Sequence, residues 1–278
     1  MSQHIRTLDG KVVVITGAGS GIGRALALDV AARGAIVAIS DWDEVGLVET
    51  ARLVQERTGQ EVRTDKVDVR DRAAMRDYAV ALVAEHGRVN VVVNNAGVAL
   101  HGDFEEVGYD DFEWVMDVDF WGVVHGTKEF LPHLIASGDG HVVNVSSLFG
   151  LLGIPGQTAY NSAKFAVRGF TEALRTEMLV AKHPVGVTCV HPGGIKTGIA
   201  RNARVTTSHD QAQFAKHFDT KLARMTPERA AQVIVEGVLA GKPRVVVGAD
   251  AKLLDAFVRI VGPRYQRVVA RASRRMAP

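Results

Sequence analysis

Along this chain, short stretches that are apolar nearly throughout alternate with longer ones whose apolar positions recur at helical spacing. The short stretches are KVVVITG (11–17), AIVAIS (35–40), EVRTDKVDV (61–69), VNVVVNNAG (89–97), HVVNVSS (141–147), VGVTCVHPGG (185–194) and RVVVGAD (244–250). Most are Val/Ile-rich without polar alternation, the pattern of strands covered on both faces. IGRALALDVAARG, RDRAAMRDYAVALVAEHG and TAYNSAKFAVRGFTEALRTEML read as amphipathic helices between them. Strand and helix in alternation predict a parallel sheet with right-handed crossovers. No Pro/Gly/Ser linker, repeat or low-complexity tract divides the chain. The expectation is one α/β domain over residues 1–278, a doubly wound sheet of about seven strands with helices on both faces.

Two regions break the rhythm. Residues 195–225 form a long polar connection of weak periodicity, the kind that often serves as a lid over a ligand. The end of the chain, 251–278, reads as a basic helical tail. It holds Arg259, Arg264, Arg267, Arg271, Arg274 and Arg275 with no acid after Asp255. Phe257, Ile260, Val261, Val268 and Val269 recur there at near-helical spacing, which predicts one buried face. A solvated or subunit-facing helix accounts for the tail more simply than nucleic acid or a membrane surface, since Tyr265 is its one aromatic after Phe257.

Composition narrows the class. Apolar residues make up 47% of the chain and charged ones 23%, ordinary for a soluble protein with a sizeable core. A net charge of +2 is too near balance to make nucleic acid the main partner. Cys189 is the only cysteine, so no internal disulfide forms and a reducing compartment is expected. The start, MSQHIRTLDGK, lacks the apolar core of a signal peptide. No apolar run approaches the roughly 20 residues that span a bilayer. The expectation is a cytoplasmic protein without an integral membrane segment.

Candidate chemistry gathers at the predicted strand ends. The first strand runs through TGAGSGIG (16–23) into a helix. Gly17, Gly21 and Gly23 would permit a tight turn and the approach of a pyrophosphate to the helix N-terminus. Asp41 follows the second strand, 18 residues after Gly23. A carboxylate there accepts hydrogen bonds from both ribose hydroxyls of NAD and repels the 2′-phosphate of NADP. No lysine or arginine stands directly before Gly21 or directly after Asp41, which favours NAD. Asp68 and Val69 end the third strand and Asn94–Gly97 the fourth, both at carboxyl ends where open α/β sheets bind ligands. Ser147 closes the fifth strand, 13 residues before Tyr160, and Tyr160 and Lys164 stand one helical turn apart. Each feature alone is also explained by turns, caps or a surface pair; their order along the chain makes the case.

As an ordered set, TGAGSGIG, Asp41, DV, NNAG, the Ser147-to-Tyr160 spacing, YNSAK and HPGGIKT resemble the short-chain dehydrogenase/reductase family over roughly residues 9–250. The resemblance implies a Rossmann-type fold and hydride transfer with NAD. Tyr160 would be the catalytic acid/base, Lys164 its partner, and Ser147 the group holding the substrate oxygen. Ser20, Ile22, Asn95, Ala96, Pro192, Gly193, Ile195 and Thr197 fall in the cofactor-binding motifs, with Thr197 beside the nicotinamide. The magnitudes agree. Lowering a tyrosine from about pKa 10 to about 7 takes roughly 4 kcal/mol. One cation about 4 Å away at an effective dielectric near 20 supplies that much.

Asp119 departs from the pattern, since the family usually has asparagine there, supporting the lysine through a water-linked relay. No metal is implied, because the ten histidines show no HExxH or similar ligand spacing. Cys189 reads as a buried strand residue. The resulting reading is an NAD-dependent oxidoreductase acting on a secondary alcohol or ketone. An NADP-linked reductase and a cofactor-binding regulator weakened by Asp119 are the alternatives. Leu148, Phe149, Leu151, Leu152 and Ile154 would line the pocket and suit a lipophilic substrate. The resemblance also implies a dimer or tetramer built on helices around 105–135 and 158–180.

Overall fold

Successive residues of β1 (Val12–Thr16) point to opposite sides of the sheet, and both sides are buried. Val13 and Ile15 enter one core with α1 (Gly21–Ala32), while Val12 and Val14 enter a second. This double burial is why the strands read as unbroken apolar runs. The computed structural model describes residues 5–276, with side chains through Arg274. The polar start Met1–His4, the last residues Ala277–Pro278 and the Arg275 side chain lie outside it.

The chain continues through β2 (Ile36–Asp41), α2 (Glu44–Thr58), β3 (Arg63–Lys66), α3 (Arg72–His86), β4 (Val91–Asn94), β5 (Leu100–His101) and α4 (Tyr109–Met116). After α4 a π-helical turn over Asp117–Trp121 leads into α5 (Gly122–Ala136), followed by β6 (Gly140–Val145), α6 (Thr158–Ala181) and β7 (Val185–Pro192). Then come β8 (Arg204–Val205), α7 (Gln211–His217), α8 (Pro227–Leu239), β9 (Arg244–Val247), α9 (Ala249–Val261) and α10 (Tyr265–Met276).

Seven strands form one parallel sheet in the order β3-β2-β1-β4-β6-β7-β9. This is the doubly wound, Rossmann-type architecture expected from the sequence. The order reverses between β1 and β4, so the loops after these strands diverge and leave a crevice at their carboxyl ends. One core packs α1 and α8 on the sheet, through Leu26, Val30, Ile234 and Val238. The other packs α3, α5 and α6, through Met75, Leu82, Phe130, Leu134 and Leu174.

Three local readings change. The run 61–69 is a strand only over Arg63–Lys66, because β3 is an edge strand with half-exposed, alternating positions. The connection 195–225 is not structureless. It contains β8, which pairs with β5 in a second, two-stranded parallel sheet, then α7 and a π-helical turn over Phe218–Leu222. Elements this short leave no periodicity to read. In the tail, Leu254, Phe257, Val258, Val261 and Val269 pack around Tyr265 and Leu151. Ile260 and Val268, expected on the same face, are 85% and 48% exposed. The inward stripe of α9 is centred on Leu254, Phe257 and Val261, which turns Ile260 out.

Candidate active site

Two glycines shape the floor of the crevice. Gly17 has φ +66°, and a Cβ on it would lie 2.6 Å from Ala96 Cα. Gly23 lies beneath the loop, where a Cβ would meet Gly17 O. Side chains at these points would push the loop after β1 off the loop after β4. Thr16 and Asn95 tie the two loops together. Thr16 Oγ1 accepts from the N–H groups of Asn95 (3.1 Å) and Ala96 (3.2 Å). Asn95 Nδ2 donates to Thr16 O (3.1 Å) and Gly17 O (3.0 Å). The helix α1 then opens with no side-chain cap and no acid in its first turn. Its orphan N–H groups and positive dipole end suit a pyrophosphate.

Asp41, at the end of β2, is held in place by backbone donors. Gly19 N–H donates to Oδ2 at 2.8 Å and Asp43 N–H to Oδ1 at 3.0 Å. With each oxygen using one lone pair, the carboxylate keeps acceptor capacity toward the crevice. These residues fit a dinucleotide: an anion site at α1 and a diol acceptor at Asp41.

The crevice opens into a cleft of about 2480 Å³. That exceeds the usual few-hundred to thousand Å³ of a single small-molecule site, so it has room for two ligands. Gly17, Ser20, Gly21, Ile22, Asp41, Asp68, Val69, Asn95, Ala96, Gly97, Ser147, Tyr160, Lys164, Pro192, Gly193, Ile195 and Thr197 all line it. Of the sequence-derived site residues, Gly23 and Asp119 lie beneath the wall instead. Leu151 is also absent from the lining, being packed into the core under the tail.

The candidate catalytic residues stand on α6 and the turn after β6. Ser147 Oγ accepts from Phe149 N–H at 3.1 Å, so the serine caps its turn and keeps its own proton to donate. The Lys164 ammonium sits 5.5 Å from the centre of the Tyr160 ring. It donates to Val145 O at 3.3 Å and contacts Asp119 Oδ2 at 3.1 Å. The expected water-linked relay at Asp119 is thus a direct contact. The π-helical turn between α4 and α5 places Asp119 there, and its Oδ1 also accepts from Val98 N–H at 2.7 Å.

Burial lifts the Tyr160 phenol above its ordinary value; Lys164 and Ser147 pull it down and Asp119 pushes it up, so the fall expected from the lysine alone is outweighed by burial and by the carboxylate beside that lysine. Burial also lowers Lys164, but Asp119 and Tyr160 outweigh this and leave the ammonium above its ordinary value. Burial holds the Asp119 carboxyl up against Lys164 and the Val98 N–H. The Cys189 thiol is pushed by burial to about 12, so it stays protonated in β7.

Several supporting residues carry no signal in the sequence. Asn161 Nδ2 donates to Phe149 O (2.6 Å) and Leu152 O (2.8 Å), and its Oδ1 accepts from Ile154 N–H (3.0 Å). It therefore fixes the apolar loop beside Tyr160. Asp250 Oδ2 accepts from Gly194 N–H at 2.9 Å and anchors the loop after β7 to α9. His101 stacks on Phe214 at 4.3 Å and meets His209 edge-on at 4.7 Å, fastening the 195–225 segment over the cleft. Asn161 is readable only as the neighbour of Tyr160; for the others no pattern in sequence marks the pairing.

Fold and cleft together define a doubly wound oxidoreductase. The family model of the short chain dehydrogenases matches residues 11–208, and the chain belongs to that family. It is 60% identical over 264 residues to SadH of Mycobacterium tuberculosis, an oxidoreductase by name, covering 95% of each chain. Among solved structures it resembles a short-chain dehydrogenase/reductase from Burkholderia phymatum in complex with NAD. That match has 31% identity and TM-score 0.85, over 93% of this chain and 95% of that one. A short-chain dehydrogenase from Streptomyces avermitilis matches at 26% identity and TM-score 0.79, over 97% and 100% of the respective chains.

Proposed function

We propose that this chain is an NAD-dependent oxidoreductase interconverting a secondary alcohol and a ketone. The observation that carries the reading is the buried Tyr160–Lys164 pair at the end of the cleft, with Ser147 in the same lining. A nicotinamide, when bound, supplies the hydride acceptor or donor. Ser147 Oγ donates to the substrate oxygen and orients it toward Tyr160. Tyr160 Oη takes the alcohol proton, or returns one to the carbonyl oxygen during reduction. Lys164 stabilises the phenolate so formed. Asp41 selects NAD by accepting from the ribose diol and by repelling a 2′-phosphate. Leu148, Phe149, Leu152 and Ile154 exclude water and favour a lipophilic substrate. Residues 195–225 act as the lid.

The structural neighbour from Burkholderia phymatum, crystallised with NAD, supports the cofactor choice. The chain works in the cytoplasm as a dimer or tetramer, through faces of α4–α5 and α6 that expose Trp121 and Phe165. Sedimentation of the purified protein tests the assembly.

The deciding experiment is a spectrophotometric panel of alcohols and ketones graded by size and polarity, run with each cofactor in both directions. Turnover with NAD on lipophilic secondary alcohols is expected. Tight NADH binding without hydride transfer to any substrate would replace the enzyme with a regulator. Preference for NADP would overturn the role of Asp41.

A further inference from the structure

The helices α9 and α10 close the cleft with one face and leave the other to solvent. Their inner faces share one cluster with Leu148, Leu151 and Leu152, and Tyr265 Oη accepts from Gly153 N–H at 2.8 Å. The residues on the opposite sides of both helices are exposed. On α9, Leu253 (72% exposed), Ala256 and Ile260 (85% exposed) form an exposed stripe at positions i, i+3 and i+7. Lys252 and Arg259 flank it, both exposed. On α10, Arg264 at its head and Arg267, Arg271 and Arg274 surround the half-exposed Val268.

Among the described residues only Arg259 of this charged set is paired with an acid. The only acids of the two helices are Asp250 and Asp255, and both are engaged. Asp250 holds Gly194 N–H at 2.9 Å, and Asp255 pairs with Arg259 at 2.9 Å. Among the described residues, Arg264, Arg267, Arg271 and Arg274 have no ion pair. Single exposed apolar residues are ordinary. An exposed apolar stripe on one helix followed by unpaired arginines on the next is a different surface.

We propose that the outer face of α9–α10 docks this protein peripherally on an anionic lipid membrane. Arginines near such a surface are attracted by its negative potential, and the apolar stripe enters the boundary between headgroups and chains. A second copy meeting this face about a two-fold axis would set arginine against arginine. Nucleic acid would engage the arginines but leave Leu253 and Ile260 unused. No helix among the described residues is long and apolar enough to cross a bilayer, so the contact is at the surface. Leu253, at the edge of the stripe, also lines the cleft, so the docking face borders the cleft. The proposal rests on the surface of the tail and not on the reaction assigned to the cleft.

Co-sedimentation of the full chain with vesicles tests it. Phosphatidylcholine vesicles containing phosphatidylglycerol should capture the protein, pure phosphatidylcholine should not, and added salt should release it. The triple variant R264Q/R267Q/R271Q should bind about a hundredfold more weakly, roughly fivefold per arginine. Ile260→Ser should weaken binding severalfold while the thermal midpoint stays at the wild-type value. Failure of wild-type protein to prefer anionic vesicles overturns the proposal without any variant. So does duplex-DNA binding that Ile260→Ser leaves unchanged, in the absence of vesicle binding. A change in oligomeric state of the triple variant without vesicle binding would assign the face to a second copy instead.

Discussion

Lys164 Nζ lies 3.1 Å from Asp119 Oδ2, and both side chains are shut away from solvent. This contact sets the field in which Tyr160 titrates. Asp119 pushes the phenol up while Lys164 pulls it down. Asparagine at position 119 would keep an oxygen for the Val98 N–H and remove the opposing charge. Asp119→Asn should therefore move the rising limb of kcat/KM for alcohol oxidation to lower pH, since that limb reports the base. An unmoved limb would mean that Asp119 holds its proton and already imitates the amide.

Tyr160→Phe removes the hydroxyl and leaves the ring packed edge-on against Phe149 at 6.1 Å. It should lower kcat at least a hundredfold, the lower range of general acid–base help. The NADH dissociation constant should stay within about twofold, because little cofactor contact is lost. Paired stopped-flow and fluorescence titrations separate the two. A variant retaining more than about a tenth of wild-type kcat would remove Tyr160 from the proton transfer.

Asp41→Ala should weaken NAD and narrow the gap to NADP. It deletes acceptors for a diol together with one repulsive charge, and hydrogen bonds to charged groups are worth about 1.5–3 kcal/mol. It also leaves Gly19 N–H without its 2.8 Å partner, so the glycine-rich loop should loosen as well. Comparing KM for the two cofactors in wild type and variant measures the effect. An unchanged ratio of the two would show that Asp41 serves the loop alone.

His191 predicts how the fold responds to acid. Its buried ring meets the carbonyl of Ser147 at 2.9 Å, and burial holds the imidazole down at about 4. In the unfolded chain a histidine titrates near 6.5. The folded state therefore refuses a proton that the unfolded state accepts. Its contribution to stability is complete above about pH 6.5 and is lost as pH falls toward about 4, by up to about 3 kcal/mol. Urea denaturation at several pH values should show this slope in wild type. His191→Phe, though less stable at every pH, should show a flatter one. Equal slopes would place the acid sensitivity elsewhere.

The order of the main strands and helices, the buried character of the sheet, and a set of residues that line the crevice were legible in the sequence alone. The reason is local. A strand covered on both faces must be apolar throughout, and a parallel sheet brings every strand's carboxyl end to one edge. Gly17, Asp41, Asn95, Ser147 and Thr197 could therefore be grouped before their distances were known. Tyr160 and Lys164 were legible for the same reason, since one helical turn separates them. What only the tertiary structure decided depends on pairings between distant segments and on the rotation of short elements. Asp119 meets Lys164 directly because a π-helical turn, invisible to a 3.6-residue period, rotates it inward. His101 and Phe214 stack although more than a hundred positions separate them, and the two-residue strands that bring them together are too short to leave a pattern. Ile260 faces solvent while Phe257 does not, because helix phase is set by the cluster each helix packs against. Apolar spacing announces that a face exists; packing chooses which one is buried.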